Sequence, residues 1–85
     1  MSLNNLFEEA VINSKSLAEK PSNDVLLKLY ALYKQATEGD LHVDEPTNPF
    51  DFVAKAKYNA WDDLKGKTKE IAMQEYVDLV ASLKK

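Results

Sequence analysis

Tyr30, Tyr33 and Lys34 are the side chains of this sequence best suited to binding chemistry, and they open the run YALYKQATEGD at residues 30–40. On a helix, positions three and four apart share one face. Two phenol rings and one ammonium group therefore project over a single turn. Such a trio suits a ligand with a flat ring and phosphates. An aromatic face can stack on a base, while phenol hydroxyls and a lysine can bind phosphate oxygens. Tyrosines at this spacing also serve as core residues with a wet tip, so the trio leaves both readings open.

A second cluster lies downstream. Lys57, Trp61 and Leu64 are spaced by four and three, which places a lysine beside an apolar seam from which its amine can snorkel toward the bundle rim. The plainer reading is a solvated face whose cations suit the C-terminal end of a helix dipole. If both clusters share a rim, two ammonium groups meet near one anion. Catalysis has little to draw on. His42 is the only histidine and sits in an acidic stretch beside Asp44 and Glu45. There is no Gly-rich phosphate loop, nucleophile elbow or His-x-x-x-His pair. Asp62 and Asp63 are neighbours, so on a helix they diverge by about 100° and solvate an outer face rather than hold a metal. No enzyme activity, metal or cofactor is expected.

At 85 residues, with 45% apolar and 29% charged positions, the composition is that of one small soluble globular domain. The chain has no cysteine, which removes disulfide and thiolate chemistry and suits a reducing compartment. No apolar run approaches the ~20 residues of a membrane span, and the first residues lack a basic-plus-apolar signal pattern, so a cytoplasmic location is expected. The net charge of −3 is unevenly spread. Residues 21–54 carry a local −4, and residues 55–69, with Lys55, Lys57, Lys65, Lys67 and Lys69, carry a local +3. Every basic residue is lysine, which argues against nucleic acid as a partner, because arginine forks normally read guanine and grip phosphate.

Apolar periodicity predicts four helices and no strands. The first runs from about residue 4 to 16, with Asn5 and Glu8 resembling a capping box. Ser22, Asn23 and Asp24 can cap the second, which ends at Gly39. The third starts near Asp51 and stops at Gly66, with Phe52, Val53, Ala56, Ala60, Trp61 and Leu64 as its apolar positions. Thr68 can cap the fourth, whose stripe is Met73, Tyr76, Val77 and Val80. Residues 39–50 form a long connection containing Pro46 and Pro49, and Phe50 suggests partial packing. Twelve extended residues reach roughly 40 Å, whereas a helix of about fourteen residues is only ~21 Å long. The loop can run back along the bundle and leave helices two and three parallel, while the links at 20–22 and 65–67 are tight turns. Each apolar stripe can be buried within one bundle, so a monomer is expected.

These segments together resemble the acyl-CoA-binding protein family. FEEAV, KPSND, LYALYKQATEGD and KAKYNAWDDLKGKTKEIAMQEYV carry the resemblance, in order, across nearly the whole chain. It implies an all-α four-helix bundle with up-down-down-up topology and reversible binding of medium- and long-chain fatty acyl-CoA, with acyl-CoA-using enzymes as partners and without stable membrane insertion. Carried over by motif, Tyr30, Lys34 and Lys57 would bind CoA phosphates, above all the 3′-phosphate. Tyr33 would stack on adenine, Tyr76 would close on the nucleotide, and Lys15 matches a ligand-contacting lysine. Val53 stands where the family often has a ligand-contacting lysine, which implies modestly weaker head-group attraction with van der Waals contact retained. Tyr58 replaces a common tryptophan and keeps an aromatic plane. Leu26, Leu27 and Leu29 are the expected shelter for the acyl tail. The competing function from another class is a helical protein–protein interaction module without a lipid ligand, since bundles serve both purposes.

Overall fold

Four short polar side chains start the four helices. In the computed structural model, which describes residues 2–84, α1 spans Leu3–Ser14, α2 Asn23–Glu38, α3 Phe52–Asp62 and α4 Lys69–Leu83. Ser2, Ser22, Asp51 and Thr68 each accept a hydrogen bond from the amide three residues on, at Asn5, Val25, Ala54 and Ile71. Each satisfies a first-turn donor that the helix itself cannot. The first cap thus lies three residues before the expected Asn5, which supplies the capped amide instead. Helix α1 also ends earlier than residue 16. The Ser14 hydroxyl donates back to the Val11 carbonyl at 2.7 Å, and the Lys15 and Ser16 amides bond to Ile12 and Asn13, tightening the chain out of the α-helix. Helix α3 likewise stops at Asp62, with residues 63–66 in successive turns closed by three-residue hydrogen bonds. No strand occurs among the described residues.

Cross-helix contacts fix the directions. Tyr30 meets Lys57 and Gln35 meets Trp61, so numbers rise together along α2 and α3, and the two are parallel. The Gln35 side chain also reaches the Lys67 carbonyl just before α4, so α2 and α4 are antiparallel. The all-α bundle therefore runs up-down-down-up, with the loop returning the chain to the start of α3. Helix α4 packs against α1 and α2, and α3 packs against α2 alone among the helices. The core draws Phe7 and Ala10 from α1, Leu29, Leu32 and Ala36 from α2, and Ala72, Tyr76 and Val80 from α4.

This order leaves one face of α3 open. Phe52 and Val53, expected among the apolar positions of α3, are 73% and 65% exposed. The long loop is also less packed than its prolines suggested: Phe50 is 81% exposed, and only Leu41 and Pro46 between residues 41 and 50 are half-buried. Its carboxylates Asp44 and Glu45 stay in water, where their charge is cheapest to hold. What anchors the loop is its first turn. Gln35, fully buried, donates to Asp40 Oδ1 at 2.8 Å and to the Lys67 carbonyl at 2.7 Å, and its Oε1 accepts from Trp61 Nε1 at 3.1 Å. Trp61 Nε1 donates as well to the Gly39 carbonyl, and the Gly66 amide donates to Asp40 Oδ1. Gly39, at φ 81° and ψ −150°, takes a conformation open essentially to glycine alone, which turns the chain into this clasp.

Candidate functional site

Tyr30 and Lys34 stand one turn apart on α2, as Lys57 and Trp61 do on α3. The parallel seam pairs them crosswise. Lys57 Nζ lies 5.3 Å from the Tyr30 ring centroid, and Lys34 Nζ lies 5.6 Å from the Trp61 ring. Both distances are within the range of cation–π attraction. Four residues of helix separate the two pairs, about 6 Å along the seam. The two lysine clusters of the sequence therefore meet at one rim.

Tyr33, 40% exposed, stacks on Phe7 with centroids 6.0 Å apart and planes inclined by 26°. Tyr76 lies edge-on to Phe7 at 5.1 Å and tilted against Tyr33 at 6.5 Å. Tyr76 itself is buried, and its hydroxyl donates to Ser14 Oγ at 3.1 Å. It thus sits in the core beside Phe7 and Tyr33. Lys15, the C-cap of α1, is exposed beside Ser14, and no hydrogen bond or ion pair among the described residues joins it to the lysine–aromatic pairs.

Lys34 carries a partner of its own. Its ammonium donates to Glu38 Oε2 at 2.6 Å, and Glu38 Oε1 lies 3.0 Å from His42 Nε2. The hydrogen bond to Glu38 holds the Lys34 ammonium above its usual range against the opposing effect of burial. The same bond, aided by His42, pulls the Glu38 carboxyl below its usual range. His42, although exposed, also sets its ring edge-on to Trp61 at 5.5 Å.

Below the rim, an apolar trench of about 400 Å³ runs between α2 and α3. Leu26, Leu27 and Tyr30 form one wall and Phe52, Val53 and Ala56 the other. Lys57 closes the Tyr30 end, and Asn23 lies at the start of the α2 wall. Leu29, expected beside its two neighbours, points instead into the core. The arrangement is amphipathic along its length: hydrocarbon lining that finishes at the Lys57 ammonium beside the Tyr30 ring.

Comparison with known proteins agrees with this layout. Residues 4–80 match the family model described as "Acyl CoA binding protein". The chain belongs to the acyl-CoA-binding protein family. It is 53% identical over 77 residues to the acyl-CoA-binding protein of Dictyostelium discoideum, covering 91% of this chain and 90% of that one. It is 54% identical over 77 residues to enoyl-CoA delta isomerase 2 of Rattus norvegicus, but that match spans only 19% of the enzyme. The crystal structure of Oryza sativa acyl-CoA-binding protein 2 superposes with a TM-score of 0.90 at 39% identity, covering 96% of this chain and 90% of that one.

Within this acyl-CoA-binding fold, several contributors escaped the sequence reading. Gln35 and Asp40 fix the rim by tying α2 to α3 and to the turn before α4. Gln35 left a signal, since a glutamine one residue before core Ala36 breaks an apolar stripe, and a buried polar side chain must find partners. Phe7, Glu38 and His42 left none, because their roles depend on which helix or loop turn faces them.

Proposed function

We propose that this protein binds medium- and long-chain fatty acyl-CoA esters reversibly, without turnover, and so buffers and carries them in the cytoplasm as a single-domain monomer. The observation that supports this reading best is the trench itself, apolar along its walls and closed at one end by Lys57 beside Tyr30. A ligand that fits has a long hydrocarbon tail and an anionic, ring-bearing head. The names of the relatives point to the same class of ligand.

In this reading the tail lies along Leu26, Leu27, Phe52, Val53 and Ala56. Burying hydrocarbon is worth about 0.8 kcal/mol per methylene, so a sixteen-carbon chain supplies roughly 10 kcal/mol before ordering costs. Lys34, Lys57 and the Tyr30 hydroxyl take the phosphates, the 3′-phosphate above all, through charge-assisted hydrogen bonds. Tyr33, backed by Phe7 and Tyr76, offers its ring to the adenine. Lys15 adds positive charge from α1. Val53 gives the tail apolar contact and no charge to the head. The tail provides most of the affinity and the head most of the selectivity, since a free fatty acid lacks the groups that the rim would hold. Taking the tail out of water removes a detergent-like surface and shelters the thioester. Enzymes that use acyl-CoA would then draw on this pool.

Calorimetric titration of delipidated protein with palmitoyl-CoA, palmitate and CoA tests the reading. Palmitoyl-CoA is expected to bind below micromolar concentration and far more tightly than either fragment. No binding of the ester at micromolar concentration would sink it. Release of free CoA over hours would overturn the absence of turnover.

A further inference from the structure

Glu38 is badly placed for a residue whose job is to stabilise α2. It is the last residue of that helix, where the dipole disfavours an anion. It also follows Lys34 by four residues, the less favourable order for a lysine–glutamate pair on a helix. Yet its carboxylate is fully engaged, with Oε2 at 2.6 Å from Lys34 Nζ and Oε1 at 3.0 Å from His42 Nε2. A residue that breaks local rules while making two specific contacts at a rim points to a role in that rim. The chemistry is suggestive too. A carboxylate and a phosphate are alternative acceptors for one ammonium group.

We propose that Glu38 is a built-in competitor for the anion site: its carboxylate occupies Lys34 in the free protein and must yield that ammonium to an arriving phosphate. This rests on the reading of Lys34 as a phosphate ligand. Lys34 is backed by the Trp61 ring at 5.6 Å, so its ammonium can change acceptors without leaving the seam. Glu38 keeps His42 as its remaining partner after the exchange, and His42 is itself positioned by its edge contact with Trp61. Glu38 thereby sets how tightly the rim holds a phosphate, lowering affinity and easing release. Exposed ion pairs of this kind add little to stability, so the fold does not depend on the bond.

A double-mutant cycle tests this, with palmitoyl-CoA titrated into wild type, Glu38→Gln, Lys34→Met and the double variant. If Glu38 acts by occupying Lys34, Glu38→Gln binds roughly five-fold tighter than wild type, and the gain falls below about two-fold when Lys34 is already methionine. An equal gain in both backgrounds would mean simple repulsion of the ligand and would overturn the proposal, as would no gain in the native background. Failure of wild type to bind sinks the functional reading and this proposal with it. Wild-type binding without a Glu38→Gln gain sinks the competitor alone. Where Lys34→Met binds too weakly to titrate, NMR of wild type that correlates Lys34 Nζ with its hydrogen-bond acceptor decides. Saturation with palmitoyl-CoA must replace the Glu38 carboxylate by ligand phosphorus, and a retained Glu38 partner overturns the exchange.

Discussion

The Lys57 ammonium lies over the ring of Tyr30, 5.3 Å from its centroid, across the seam between two parallel helices. Its counterpart, Lys34 against Trp61, repeats the relationship in the opposite sense. Each helix lends a cation to the other's aromatic ring. Neither ammonium is neutralised by this, because a ring quadrupole attracts charge without cancelling it. Lys57 is thus open to an anion, and Lys34 becomes so once Glu38 gives way.

Removal of the α3 cation isolates the head-group term. Lys57→Ala is expected to weaken palmitoyl-CoA binding about ten-fold, or about 1.4 kcal/mol. Unfolding free energy should change by less than about 0.5 kcal/mol, as for an exposed site without a core contact. Calorimetry and urea unfolding give the two numbers. Equal affinities for wild type and variant would remove Lys57 from the site.

The trench wall can be probed separately. Leu27→Asp puts a carboxylate where methylenes would lie, and burying it unpaired costs several kcal/mol. Affinity for palmitoyl-CoA should drop at least ten-fold, while a head-group fragment such as adenosine 3′,5′-bisphosphate binds nearly as before. Equal losses for both ligands would show that the tail lies elsewhere.

Trp61→Phe keeps a ring beneath Lys34 but loses the indole donor to Gln35 Oε1 and the Gly39 carbonyl. Gln35 is fully buried, so its oxygen is left without that donor. The expected cost is about 2–4 kcal/mol, combining the unmet acceptors with the lost volume. Urea denaturation measures it, and a change under about 0.5 kcal/mol would deny the clasp its structural role.

Acid should loosen the same clasp. The Gly66 amide, then the Gln35 side chain, hold the Asp40 carboxyl below its usual value of 3.8, with burial opposing them. A depressed carboxyl stabilises the fold above its unfolded value, and that contribution disappears as pH falls below 3.8 through the folded value. Thermal melts between pH 5 and 2 should therefore show a steeper decline for wild type than for Asp40→Asn. Parallel curves would show that Asp40 carries none of the acid sensitivity.

Helix number and the possibility of a parallel α2–α3 pair were legible from local rules. The meeting of Lys34 with Lys57 was not, because spacing within one helix does not say which helix faces it. Apolar spacing marks the faces of α1, α2 and α4, and the reach of residues 39–50 allows the parallel return. The faces of α3 were harder to read. Phe52 and Val53 have the composition of a core stripe, but α3 has only one helical neighbour, so part of that stripe stays in water. Layer order is a property of the whole chain, invisible to periodicity. Tyr76 shows the same limit from the other side. Its residue type suits a ligand contact, while the packing of α1 against α4 directs its hydroxyl to Ser14.

That lone attachment of α3 has a dynamic consequence. One wall of the trench belongs to the helix with the fewest buried residues, held by the α2 seam and by buried Trp61 at its far end. Segments with few buried contacts open locally at a fraction of the global free energy. Helix α3 should then breathe most when empty, and an acyl chain bridging the two walls would act as mortar along the seam. Loading would be recorded as slower amide exchange from residues 52 to 57, with α1 and α4 nearly indifferent to whether cargo is aboard.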